Sequence, residues 1–166
     1  EYTGTETDVV VPDTMDEGVP VKRLGTQLLA GSETLTSVVV PDSVTILDVG
    51  ALSYDNNLSE ITLSSNLINI GWNAISRNDA LTELTIPASV CIIDSYAVSG
   101  CYALKKIVFE GACPLIGPEA FAMLSDDVVI YVPDDQIEEY KKAFEDNNKD
   151  LNIQPSGKPA VLYSAE

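Results

Sequence analysis

Histidine is missing from this chain altogether, and with it the commonest general base and metal ligand of proteins. Cysteine is sparse. Cys91, Cys101 and Cys113 form an odd set without C-x-x-C spacing, so neither a disulfide framework nor a structural zinc site is expected. Positive charge is scarce too, with 9 Lys plus Arg against 26 Asp plus Glu and a net charge of −17. A field of that sign repels phosphate backbones and anionic headgroups, which makes nucleic acid and membrane surfaces poor partners. No apolar run reaches the length of a membrane span, and Glu1-Tyr2-Thr3-Gly4 has neither the basic nor the apolar stretch of a signal peptide. The chain is therefore expected to be cytoplasmic, or to be displayed after removal of its signal.

Catalytic signatures are absent as well. There is no G-x-S-x-G elbow, no Gly-rich phosphate loop and no H-E-x-x-H. The acids are dispersed and no D-x-[DN]-x-[DN]-G loop occurs, so an EF-hand is not expected. No catalytic, cofactor-binding or metal-binding residue is assigned, and no cofactor. A glycosidase-like carboxylate pair is a remote alternative, because many acids become neighbours in any repeat by register alone.

What the chain has is a period. Four units of 23 residues follow one another without a gap: Leu35 to Asn57, Leu58 to Ala80, Leu81 to Ala103 and Leu104 to Asp126. The first column reads Leu35, Leu58, Leu81, Leu104; the fourth Val38, Ile61, Leu84, Ile107; the sixth Val40, Leu63, Ile86, Phe109. Fourth and sixth alternate with polar or small residues, which is strand periodicity. Pro41, Ser64, Pro87 and Glu110 mark a turn. Val44, Leu67, Val90, Cys113 and then Leu47, Ile70, Ile93, Ile116 are inward positions on the return path, followed by the pairs Ala51-Leu52, Ala74-Ile75, Ala97-Val98 and Ala120-Phe121. One coil cannot bury such a ladder, so the coils must stack.

Val128 to Val132 continues the register as another strand. Val9-Val10-Val11-Pro12 resembles Val38 to Pro41 but precedes it by 29 residues, which places six extra residues in the stretch Asp13 to Val21. The expected fold is a β-rich leucine-rich-repeat solenoid of six stacked parallel strands with a C-terminal capping helix. Asp134 or Asp135 is its expected N-cap, Glu138 completes a capping box, and Ile137, Tyr140 and Phe144 form its apolar face. Residues 1–154 are read as one domain: an N-terminal cap and atypical first repeat over 1–34, four repeats over 35–126, and the last strand with its helix over 127–154. Residues 155–166 read as a tail or linker.

The unit resembles the BspA-type leucine-rich repeat, a family of bacterial secreted and cell-surface proteins. The third unit is the closest match, with Pro87, Ser89-Val90, Ile93, Ala97, Gly100 and Cys101 in place, and the ending Tyr131-Val132-Pro133 before a helix with Tyr140-Lys141 looks like this family's cap. Trp72, Arg77 and Leu124 depart from the pattern. The resemblance implies an extracellular or cell-surface location and a non-enzymatic protein-binding or adhesive role, with a protein or glycan on a host or neighbouring cell as partner. A structural spacer within a longer surface protein is the alternative, and a monomer is expected.

The candidate binding face consists of strand residues that alternate outward: Ser37, Glu60, Glu83 and Lys106 in one column, and Val39, Thr62, Thr85, Val108 and Tyr131 in the next. Stacked strands set such columns in a grid spaced by about 4.8 Å. Valine and threonine also suit strands for purely local reasons. Trp72, on the return path, is read as a packed edge residue. Of the cysteines, Cys101 and Cys113 fall in inward columns and Cys91 in an outward, half-buried one.

Overall fold

The computed structural model describes residues 4–145 and 151–163. The chain winds as a series of stacked coils. In chain order the strands are β1 (Asp8–Val10), β2 (Arg23–Leu24), β3 (Ser37–Val39), β4 (Ile46–Leu47), β5 (Glu60–Thr62), β6 (Asn69–Ile70), β7 (Glu83–Ile86), β8 (Ile92–Ile93), β9 (Lys106–Phe109), β10 (Leu115–Ile116) and β11 (Val129–Val132). Helix α1 (Ile137–Glu145) and strand β12 (Asn152–Pro155) complete it.

Three ladders of backbone hydrogen bonds run along the stack, one for each side of the coil. The first joins the longer strands, all parallel, as β1-β3-β5 and β7-β9-β11-β12. Each repeat pairs with the next at an offset of 23, so that Ser37 lies opposite Glu60 and Glu83 opposite Lys106. The six expected strands are there, and β12 extends the sheet beyond β11. The second ladder, β2-β4-β6-β8-β10, uses two residues from each return path, a length too short for alternation to betray. The third has no strand geometry. In it the amides of Gly50, Leu52 and Tyr54 donate to Trp72, Ala74 and Ser76 of the next coil, at 2.9, 2.8 and 3.0 Å, and Asn73, Ile75 and Arg77 repeat the pattern on Ser95, Ala97 and Ser99. With all three sides paired, the polar backbone of an interior coil is satisfied while its side chains fill the middle.

Closing the third side requires two left-handed residues per coil. They occupy the same columns throughout: Gln27, Gly50, Asn73, Tyr96 and Glu119 in one, and Gly31, Tyr54, Arg77, Gly100 and Met123 in the other, with φ between 53° and 74°. Glycine adopts this region freely and other residues do so at a cost. Arg77 thus stands where Gly31 and Gly100 do, which is the physical content of its departure from the repeat pattern.

The core is a continuous apolar column. Leu35, Leu58, Leu81 and Leu104 are wholly buried, as are Leu47, Ile70 and Ile93. Toward the end of the stack the last return path loses its neighbour, and Cys113 and Ile116 are only partly buried. Cys113 is therefore less enclosed than its column implies, whereas Cys101 is fully buried and Cys91 is exposed outright. The six-residue excess falls between β1, which pairs at an offset of 29, and β2, which pairs at 23. There the chain makes a small hairpin, with Met15 N donating to Val19 O and Val21 N to Asp13 O, both at 2.8 Å.

Helix α1 closes the far end. Tyr140 and Phe144 are buried and meet Phe109 and Phe121 in an aromatic cluster with ring centroids 4.8 to 6.5 Å apart. The Tyr140 hydroxyl donates to the carbonyls of Gly111 and Ala112, at 3.2 and 3.3 Å. Among the described residues, neither Asp134 nor Asp135 caps the helix. Their carboxylates accept instead from the amides of Gly157 and Ala160, at 2.9 and 2.8 Å, and Glu138 pairs with Lys141. The two acids thus anchor the chain that follows β12.

Candidate interaction face

All nine candidate residues point out of the long-strand sheet, on one side of the molecule. Val39, Glu60, Thr62, Glu83 and Thr85 are exposed; Ser37, Lys106, Val108 and Tyr131 are half-buried. The reason lies in the alternation: Val38, Ile61, Leu84, Ile107 and Ile130 face the core, so their chain neighbours must face solvent. Ser37 is half-covered because its hydroxyl donates to Asp8 at 2.5 Å, and this bond, with a second from Thr7, holds the Asp8 carboxyl below its usual range.

Charge along the face is uneven. Glu60 and Glu83 are neighbouring members of one column, and Lys106 beside them pairs with Glu83 at 3.0 Å. The sheet divides between β5 and β7, where the two like-charged glutamates stand side by side. Like charges at directly opposed positions weaken strand pairing. At this seam lies a shallow cavity of about 320 Å³, bordered by Thr62, Ser65, Thr85, Pro87 and Glu110.

A second cavity, of about 350 Å³, lies beside it at the C-terminal end of the sheet. Its floor is Val108, Phe109 and Tyr131, Glu110 and Pro133 form its wall, and its roof is the chain beyond β12, through Lys158, Pro159 and Val161. This covering is why Lys106, Val108 and Tyr131 are less exposed than their counterparts. Nothing in the repeat register indicates it, since residues 156–163 lie outside the repeats.

The opposite, third-ladder side carries a different surface. Trp72 is 48% exposed and meets Tyr96 edge to face at 6.4 Å, and the Arg77 guanidinium lies 5.5 Å over the Tyr54 ring. The packed-edge reading of Trp72 therefore holds only for one side of its ring. Aromatic and arginine side chains of this kind are common at protein interfaces. Reading columns singly missed the grouping, because Trp72 and Tyr96 sit in adjacent columns of adjacent coils.

Burial pushes the Cys101 and Cys113 thiols up to about 11, so they are protonated at neutral pH and are weak nucleophiles. Among the described residues, no group of three or more Cys, Asp or Glu is arranged to hold a metal ion, and no helix is long and apolar enough to cross a membrane.

Residues 22–151 match the family described as BspA type Leucine rich repeat region, in six copies. The chain belongs to this family. Among solved structures it is similar to a leucine-rich repeat protein from Bacteroides capillosus, with 36% identity and a TM-score of 0.57 over 65% of this chain and 80% of that one. It is similar in fold to a leucine rich cell surface protein from Faecalibacterium prausnitzii, with 23% identity, a TM-score of 0.58 and coverage of 92% and 33%. The pneumococcal vaccine antigen PcpA shares the fold at 16% identity, with a TM-score of 0.64 and coverage of 96% and 42%. This chain thus spans less than half of the last two. None of the curated proteins matches it.

Proposed function

We propose that the chain is a non-catalytic binding module displayed outside a bacterial cell, and that the outward columns of the long-strand sheet are its contact surface for a protein on a host or neighbouring cell. The observation that carries this reading is the face itself. Its inward partners are fixed by core packing, while Glu60, Thr62, Glu83 and Thr85 are exposed, and of the four side chains only Glu83 is named above in a contact within the sheet, with Lys106. Membership of a bacterial leucine-rich-repeat family, and similarity in fold to a cell surface protein and a vaccine antigen, support display. The net charge of −17 favours a partner with a basic patch, which would associate faster at low salt.

Matrix-protein and glycan screens at micromolar concentration test the proposal, with Glu60→Lys/Glu83→Lys as the face variant and Trp72→Ala/Tyr96→Ala as the control. The expected result is a protein ligand whose affinity falls tenfold or more in the face variant and is unchanged in the control. A blank screen, or binding lost only in the control, would overturn the assignment. A second reading, a spacer within a longer surface protein, is favoured by the partial coverage of the two larger neighbours. It predicts that the isolated chain binds nothing in the same screens.

A further inference from the structure

The long-strand face is partly occupied, and by the chain itself. After β12 the backbone is anchored at its base, with Ser156 N donating to Val132 O at 2.8 Å, and with the bonds from Gly157 and Ala160 to Asp134 and Asp135. It then reverses along the stack. The Val161 amide donates to the Glu110 carbonyl at 2.8 Å, at the turn after β9. The Tyr163 hydroxyl reaches Asn66 Oδ1 at 3.4 Å, at the turn after β5. Pro159 to Tyr163 therefore crosses the ends of β9, β7 and β5, over the same edge that borders both cavities. Glu110 lines both of them, so the two cavities adjoin at that residue, and the segment roofs the first.

This segment is held loosely. Leu162 is 92% exposed and Val161 58%, so an apolar run sits in water with little of its surface covered. Below it remains a cavity of about 350 Å³, space of the size that bound ligands fill. Past Ala160, the contacts named above are one backbone bond and one long phenol bond. Glu110 is the one carboxylate that lines the cavity, the Lys106 ammonium beside it is taken up by Glu83 at 3.0 Å, and Lys158 is the single charged residue of 156–163.

Resting on the binding role proposed above, we infer that Pro159–Tyr163 is a displaceable strap, and that the groove beneath it takes an extended peptide of the strap's own chemistry. The partner segment is apolar with an aromatic residue, carries a basic residue on its N-terminal side, and donates a backbone amide to the Glu110 carbonyl. The strap acts as a tethered competitor. A tethered segment has an effective concentration in the millimolar range, so a partner must out-compete it or arrive with the additional contacts that the open face, at Glu60 and Thr62, provides.

The experiment uses the full chain and a labelled, N-acetylated peptide copied from Ser156 to Tyr163. Val161→Pro removes the amide that donates to Glu110, at an exposed position outside the repeats. The peptide should bind this variant at least tenfold more tightly than it binds the wild type, and should shift the amide resonances of Thr85, Val108 and Tyr131 in the variant at peptide concentrations up to about 1 mM. Equal binding to both chains, or none to either, overturns the strap. Amide exchange provides the check that does not depend on the variant: in the wild type Val161 should exchange several-fold more slowly than Leu162, and equal rates count against the contact. Because the peptide is the chain's own, a failure here is independent of the ligand screens, and a blank screen with a positive peptide result removes the adhesive role while leaving the groove.

Discussion

Asp55 is a carboxyl in a place built for an amide. Its counterpart one repeat on, Asn78, accepts from the Asp55 amide at 3.0 Å and donates to the carbonyls of Leu52 and Ile75 at 2.8 and 2.9 Å. Asp55 repeats half of this, accepting from the Ser32 amide at 2.6 Å, but its Oδ2 is buried without a partner. Burial raises its pKa from 3.8 to about 7, against the opposing pull of the Ser32 and Gly31 amides. The folded state therefore holds a proton that the unfolded state releases, and stability falls as pH rises from about 4 through 7. Asp55→Asn should abolish that fall. The variant should match the wild type near pH 4 and exceed it by a few kcal/mol at most at pH 8, which urea unfolding at several pH values checks. A difference that does not change with pH would show that the carboxyl is not the cause. This column is legible as an inward position, since Cys101 falls in it, but the bonds running between coils are not. They depend on the neighbouring turn, which the column itself does not display.

At the scale of elements, the lid is where sequence and structure agree on purpose and differ in means. The helical spacing of Ile137, Tyr140 and Phe144 showed which face is inward, because that face is a property of the helix alone. The role of Asp134 and Asp135 depends on where residues 157–160 return, and no local pattern encodes a contact made 23 or 25 residues later. The lid also satisfies the turn of the last full repeat through the Tyr140 hydroxyl, whose pKa burial pushes up. Tyr140→Phe keeps the ring against Phe109, where the centroids are 4.8 Å apart, and removes only the bond to Gly111 and Ala112. A loss of about 1 to 2 kcal/mol is expected. Phe144→Ala, which empties the cluster, should cost about 3 to 5 kcal/mol. Chemical denaturation of both variants decides between the polar and the apolar share of the lid. The order reversed, with Tyr140→Phe the worse, would mean that the hydroxyl and not the aromatic cluster holds the end.

The whole molecule is a stack whose coils touch only their neighbours, so its shape follows from one repeated offset and was readable from the period of 23. Its outward strand columns were readable too, but the contacts that cover or group surface residues were not. The strap lies outside the repeats, and Trp72 meets Tyr96 only because the coils stack in register. The net charge of −17 acts at this scale too. Among the described residues the ion pairs Arg23–Asp48, Lys105–Asp127, Lys106–Glu83 and Lys141–Glu138 lie at the surface, where each contributes little. With 26 acids against 9 basic residues, they leave most of the negative charge uncompensated, and there is no histidine to take up charge near neutral pH. Self-repulsion then opposes the folded state, and it should be screened once the Debye length drops from about 30 Å at 0.01 M salt to about 10 Å at 0.1 M. Sodium chloride in that range should raise the melting temperature by several degrees, with most of the gain below about 0.2 M, where screening changes fastest. If charge is the cause, the gain shrinks at pH 4, as carboxylates begin to protonate. A melting temperature that falls with added salt would instead mean that the surface ion pairs outweigh the repulsion, and that the acidic surface is tolerated by the fold at no cost.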